Sequence, residues 1–285
     1  MNACRSPFIR LSLLAMLSLA AGFACAAEPA ATVILAVGSV SDRAADGSLR
    51  NLHDGMLVYS GDSLSTAGSA WLDMDFDDGG RLLLRPGSQF QIERFHYDAD
   101  AHPANATPTA HAEHESAFFR LLKGGLRAIS GLIGHVYRIS YRMDTPVATI
   151  GIRGTEYDVR YCASDCGDEM EHGAVPTNGL YTGVDKGAIA LSNQAGETIT
   201  TAGQYLYVRD VRTPIESLKL PPVALRHMGL PTQYQKQDDA NRKRFENKKL
   251  MEQRLRERRR LRPLPWQIPS SVQTPPFPTS TSCCE

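Results

Sequence analysis

The chain has 285 residues, enough for one large or two small domains, and its 31 basic residues are balanced by 31 acidic ones, so mean charge is excluded as a guide to partners. The distribution is uneven. Residues Lys236 to Arg262 carry 12 basic and 5 acidic side chains, an excess of 7 that leaves the rest of the chain at 19 against 26. An acidic body thus carries a basic tail.

Arg5 and Arg10 precede the apolar run Leu11 to Ala21. That run is too short to span a bilayer, which takes about 20 residues. Ala24 and Ala26 supply small residues at cleavage spacing, so residues 1–26 read as a signal peptide cut near Ala26, with an uncleaved anchor as the alternative. Gly22-Phe23-Ala24 lacks the Leu-Ala-Gly pattern of a lipobox, and no lipid is expected on Cys25. No later stretch approaches membrane-spanning length. The mature protein is therefore expected to be soluble and periplasmic, with no transmembrane span once the signal is removed.

From Ala31 onward, short β-rich runs alternate with turns containing Gly. Ala70, Leu72, Met74 and Phe76 alternate with Trp71, Asp73, Asp75 and Asp77, the period of a strand with one apolar face and one mostly acidic face. Asp77-Asp78-Gly79-Gly80 suits a tight hairpin because Asp and Gly reach positive φ at little cost. Leu82 and Leu84 return, and Phe90 and Ile92 alternate with polar residues. Tyr97 to Ser116 is aperiodic and rich in His, Pro and Asp, as in an exposed insertion. Phe119 and Leu121 restart the sheet, and Tyr137, Ile139 and Tyr141 read as a further strand.

In Thr145 to Val159 the buried set changes parity. Ala148, Ile150 and Ile152 are even, whereas Tyr157 and Val159 are odd. Such a strand contains an extra residue, and Gly154 is the place for it, so the strand is expected to bend at Arg153-Gly154-Thr155 and to curve or change partner. Once the signal is gone, Cys162, Cys166, Cys283 and Cys284 remain. The spacing of Cys162 and Cys166 favours a small loop-closing disulfide in an oxidising compartment. Two or three more strands follow between Leu180 and Val208. Pro221, Pro222 and Pro231 mark a linker over 211–232. Residues 233–262 lack internal Gly and Pro and read as a helix, carrying Arg242, Lys243, Arg244, Lys248, Lys249, Arg254, Arg256, Arg258, Arg259 and Arg260. Six prolines in 263–285 point to a disordered tail.

The run TPVATIGIRGTEYDV resembles the TP-x-A-x-x-G-x-RGT-x-[FY]-x-V signature of FecR-type domains, through Thr145, Pro146, Ala148, Gly151, Arg153, Gly154, Thr155 and Tyr157. Residues Val37 to Phe95 resemble its first half: G-x-V, then L-x-x-G-x-x-V-x-x-GD-x-L-x-T, an F-x-D-G turn and L-x-P-x-S-x-F. The resemblance implies an all-β, jelly-roll-like sandwich over 31–210. The better-known members are anti-sigma regulators that relay an outer-membrane receptor's signal. This sequence departs from their plan, with no N-terminal cytoplasmic segment and no internal transmembrane helix, so a scaffold or sensor role in the cell envelope is expected.

Asp73, Asp75 and Asp77 stand about 7 Å apart along a strand, too wide to chelate one ion without other elements, and are expected to form a solvated face. His96, His102, His111 and His114 with nearby acids hold zinc or nickel donors, though a solvated loop needs no metal. Arg153 is expected to pair with a carboxylate such as Glu156. Nucleophile elbow, phosphate loop and His-Glu-x-x-His motif are all missing, so no enzyme and no cofactor is expected. The basic segment could attract an envelope protein or an anionic glycan or lipid, nucleic acid being excluded by export.

Overall fold

A computed structural model describes residues 28–98, 115–166, 177–226 and 228–260. The expected signal peptide, His102, His111, His114 and the tail at 263–285 lie outside them. The described residues fall into two compact units divided between Asn241 and Arg242.

The strands, in chain order, are β1 (Pro29–Val37), β2 (Val40–Arg43), β3 (Leu49–Asn51), β4 (Leu57–Tyr59), β5 (Ser63–Thr66), β6 (Trp71–Phe76), β7 (Arg81–Leu84), β8 (Gln89–His96), β9 (Ser116–Ile129), β10 (Tyr141–Asp144), β11 (Thr149–Cys162), β12 (Gly179–Asn193), β13 (Gly196–Thr201), β14 (Tyr205–Val208) and β15 (Glu216–Leu218). Helix α1 (Leu132–Val136) lies between β9 and β10, and α2 (Thr232–Arg260) ends the described chain. The strands form one hydrogen-bonded sheet in the order β15-β14-β12-β11-β10-β9-β7-β6-β1-β4. On its margins β13 joins β12, while β8 joins β9 and is followed by β5, β2 and β3. Every pairing is antiparallel except β9 with β10, so the sheet is mixed.

The hairpin at Asp77–Gly80 forms as its residues dictate. The Phe76 amide donates to the Gly80 carbonyl at 2.8 Å, and Gly79 takes φ 85°. The parity change in β11 is equally direct. Ile150, Ile152, Tyr157 and Val159 are all buried, and the register against β12 shifts between Arg153 and Glu156. Gly154 supplies φ 61°. Before the shift β11 pairs with β10, Ile150 facing Met143; after it, β11 pairs with β9, Tyr157 facing Ala128. Gly187 of β12, at φ 76°, lies directly opposite, and any Cβ on it would collide with the Gly154 carbonyl. One apolar core gathers side chains from the first strand to β14, with Phe76, Phe95, Phe119 and Tyr141 meeting ring to ring at 5.1–5.6 Å.

Two expectations are corrected. Tyr137 to Tyr141 is not a strand: α1 and a 3-10 turn, Arg138–Ser140, occupy this stretch before β10 begins. The cause is remote, for the Asp78 carbonyl accepts the Leu132 amide at 3.0 Å and its carboxylate accepts that of Ile133 at 3.2 Å. The acidic face expected at Asp73, Asp75 and Asp77 is solvated only in part: Asp77 is exposed and Asp75 half-buried, but Asp73 is not solvated. Asp73 is 1 % exposed and paired with Arg81, which also bonds Asp238 of α2 at 2.8 Å. The chain between 211 and 232 also makes packing contacts. Ile215 rests on the main core, Ala224 on Tyr181 and Tyr207, and Leu230 on Leu35, Trp71 and Leu83. The start of α2 is held to the sheet by Asn241, which donates to the Ile34 carbonyl and to Asp54, both at 2.8 Å.

Candidate functional site

The FecR-like residues at 145–157 occupy the turn before β11 and the corner within it. Thr145 closes the turn on itself: its hydroxyl donates to the Ala148 carbonyl at 2.7 Å and accepts the Ala148 amide at 3.0 Å. Thr149 donates to Asp144 at 2.7 Å. This rigid Thr145–Thr149 turn walls a groove of about 370 Å³, whose other side is Ser192, Asn193, Gln194 and Val211. The groove bears no ionisable side chain. Hydroxyls and amides beside Pro146, Val147 and Val211 can hold an uncharged, partly apolar segment by shape and hydrogen bonds.

At the corner Thr155 is buried. Its hydroxyl donates to the Ala188 carbonyl at 2.7 Å, and its amide donates to Ser130 at 2.9 Å, which ties the bulge to β12 and β9. The Tyr157 and Tyr141 hydroxyls meet at 2.6 Å, and burial raises both above the ordinary tyrosine range. Arg153 is exposed and does not pair with Glu156, because Glu156 accepts from Arg127 at 2.7 Å. In the first half of the pattern, Ser88 accepts the Gly125 amide at 3.0 Å and donates to its carbonyl at 2.9 Å. Asp62 accepts from Arg50 and from the Tyr59 amide, each at 2.8 Å.

Sequence reasoning missed the ion network on the outer side of the corner. Arg127 of β9 binds Glu156, Asp158 and Asp185, the Asp158 contacts measuring 2.9 and 3.0 Å. The three carboxylates hold Arg127 above its usual range. Asp158 is also raised, to about 6, because burial and its carboxylate neighbours outweigh the single guanidinium they share. Asp42 is likewise raised to about 6, chiefly by burial, beside Asp62 and the one cation Arg50. The signal was the alternation of Glu156, Asp158 and Arg160 against Tyr157 and Val159. Arg127, Glu156, Arg81, Asp238 and Asp239 also line a cleft of about 300 Å³ against the start of α2.

Cys162 and Cys166 form the expected disulfide, Cα to Cα 5.6 Å, both buried against Tyr181 and Tyr207. At the corner the Glu156, Asp158 and Asp185 carboxylates serve Arg127, and the Thr145 and Thr155 hydroxyls clamp backbone. Among the described residues no group of three or more His, Cys, Asp and Glu is placed to hold a metal, and no helix is long and apolar enough to cross a membrane. His96, the described member of the histidine set, meets Glu28 at 2.5 Å. The basic residues from Arg242 onward belong to the second unit.

Residues 62–176 match the family model described as FecR protein. No curated protein matches the chain. Two crystal structures of a "putative anti-sigma factor" from Parabacteroides distasonis ATCC 8503 overlap it with TM-scores of 0.38 and 0.39 at 10% and 11% identity, each overlap covering 55% of this chain and 58% of that one. The chain thus spans little more than half of those structures. The FecR-domain region supports a non-enzymatic signalling or sensing role, and proteins with such regions are typically periplasmic. Residues 62–176 of this chain are a FecR-domain region.

Proposed function

We propose that the protein is a non-enzymatic sensing or signalling module of the bacterial cell envelope, exported by cleavage near Ala26, whose β unit is a jelly-roll-like sandwich that binds another envelope protein. The observation that carries this reading is the groove walled by the Thr145–Thr149 turn, where the domain's own signature shapes the receiving surface. A photo-reactive residue placed at Pro146 or Gln194 tests it in intact cells. One discrete protein adduct that survives high salt is expected. Adducts confined to probes placed within residues 242–260 would refute it.

A second reading rests on charge. Residues 242–260 carry ten cations and three carboxylates, and exposed Met251 and Leu255, at i, i+4 with Leu250 beside them, give only a thin apolar stripe. This unit suits a purely electrostatic tether to an anionic glycan or lipid. Raised salt should then release the intact protein from envelope fractions, since exposed charges are screened beyond about 8 Å at physiological ionic strength. Retention at high salt would exclude the tether.

A further inference from the structure

Register fixes which side chains of β5, β8, β9 and β10 turn away from the core. Leu64, Phe90 and Leu121 stand in one row across β5, β8 and β9, and Ile92, Phe119 and Met143 in another across β8, β9 and β10. All six are at most 3 % exposed. The residues that alternate with them therefore face outward. One outward row is Arg94, Phe118 and Arg142; the next is Arg43 of β2, Ser63, Gln91, Arg120 and Asp144. The four arginines are all exposed.

Two of these guanidinium groups rest on one aromatic ring. The Cζ atoms of Arg142 and Arg94 lie 4.9 and 5.9 Å from the Phe118 centroid, a contact that steadies the planar groups and leaves their N–H forks available. Glu93 binds both Arg120 and Arg142, the latter at 3.6 Å, and Asp144 binds Arg142 at 2.9 Å. Arg43 and Arg94 have no hydrogen-bond or ion-pair partner among the described residues. At the margins Lys123 turns to Asp165 at 3.8 Å and His96 to Glu28. The face thus sets four cations against two carboxylates.

We propose that this outer face binds an acidic glycan, Arg43, Arg94 and Arg120 taking its carboxylates and Ser63 and Gln91 its hydroxyls. Composition selects this occupant. A protein interface is centred on apolar and aromatic anchors, yet on β5, β8, β10 and residues 116–123 of β9 the one large exposed aliphatic is Leu122. A lipid surface likewise calls for apolar side chains that enter it. Arg43 and Arg94 stand two strands apart, roughly 10 Å, so their charges suit acids repeated along a polymer rather than a single small anion. The inference does not rest on the groove at Thr145–Thr149 receiving a protein.

Fluorescence anisotropy of a labelled oligogalacturonate with the full chain tests it, a neutral glucan of equal length, a polyglutamate peptide and anionic-lipid vesicles serving as competitors. The oligogalacturonate should bind, and its affinity should fall about tenfold for Arg94→Gln, the loss of one charge-assisted fork, at unchanged thermal midpoint. Arg43→Gln should act in the same direction. The same fall should appear in a chain that also carries Lys248→Gln and Lys249→Gln, which removes residues 242–260 as its cause. Each competitor should displace the probe at least about tenfold less well than unlabelled oligogalacturonate. Equal affinity for Arg94→Gln and the parent, a loss that follows only the changes at Lys248 and Lys249, equal displacement by any competitor, or no binding at all would overturn the proposal.

Discussion

Replacing Gly154 by Val should be among the most damaging single changes in the β unit. The residue sits at φ 61°, where a β-branched side chain meets its own backbone at a cost of about 1–2 kcal/mol. Its Cβ would also lie 2.6 Å from His135 Nδ1 and 2.9 Å from Cε1. The imidazole must therefore swing out and loosen α1, for about another 1–2 kcal/mol. The sum, about 2–4 kcal/mol, corresponds to a fall of roughly 5–15 °C in Tm for a unit of this size. Urea denaturation followed by tryptophan fluorescence reads it, Trp71 and its apolar neighbours reporting on the fold. Gly196→Val serves as comparison. Gly196 also has positive φ, 145°, but nothing lies within 4 Å of its added Cβ, so only the backbone strain, about 1 kcal/mol, should appear. A double-mutant cycle of Gly154→Ala with His135→Ala should recover at least about 0.5 kcal/mol of coupling. Equal midpoints for Gly154→Val and the parent, or no coupling in the cycle, would refute the account of the corner.

Further changes probe the polar framework. Asp158, raised to about 6 by burial, binds its proton more tightly folded than unfolded. Its contribution is therefore full below about pH 4 and is lost as pH rises through 6, on the order of 2 kcal/mol. Denaturation at pH 4.5 and 7.5 should show that slope in the parent and a flatter one in Asp158→Asn; identical slopes would sink the assignment. Arg81→Ala removes the cation shared by buried Asp73 and Asp238, and should cost about 2–4 kcal/mol while speeding amide exchange in 232–241; unchanged exchange there would show that Arg81 does not hold the helix. Replacing Cys162 and Cys166 together by Ser should lower stability by about 2 kcal/mol, since so short a loop restrains little of the unfolded chain, and a loss above about 5 kcal/mol would contradict a local staple.

The corner in β11 was legible because two local facts coincide there, a change in the parity of buried residues and a glycine. The same change was present in β12, where Leu180 and Val184 give way to Ile189 and Leu191 around Gly187, although only the pair makes sense of either glycine. Misread elements have distant causes. Tyr137, Ile139 and Tyr141 alternate like a strand, yet the amides of Leu132 and Ile133 are claimed by Asp78, more than fifty positions earlier. Asp73 looked solvated because the residue completing its ion network, Asp238, follows three prolines that suggested a linker. In the candidate site, the signature showed which backbone would turn. That Arg153 would have no partner among the described residues depended on Arg127 taking Glu156, which no pattern within β11 encodes.

The place of β9 bears on how the chain folds. Its first half lies between β8 and β10, and its second between β7 and β11. Strands up to β8 consequently keep bare edges until residue 129 is available, and β9 in turn awaits β11, whose second half begins 27 positions after its end. Such non-local pairing places the β unit among slow folders, milliseconds to seconds even when isolated. A chain emerging from its N-terminus would expose unpaired β7 and β8 edges for that interval, and these edges are where self-association would start.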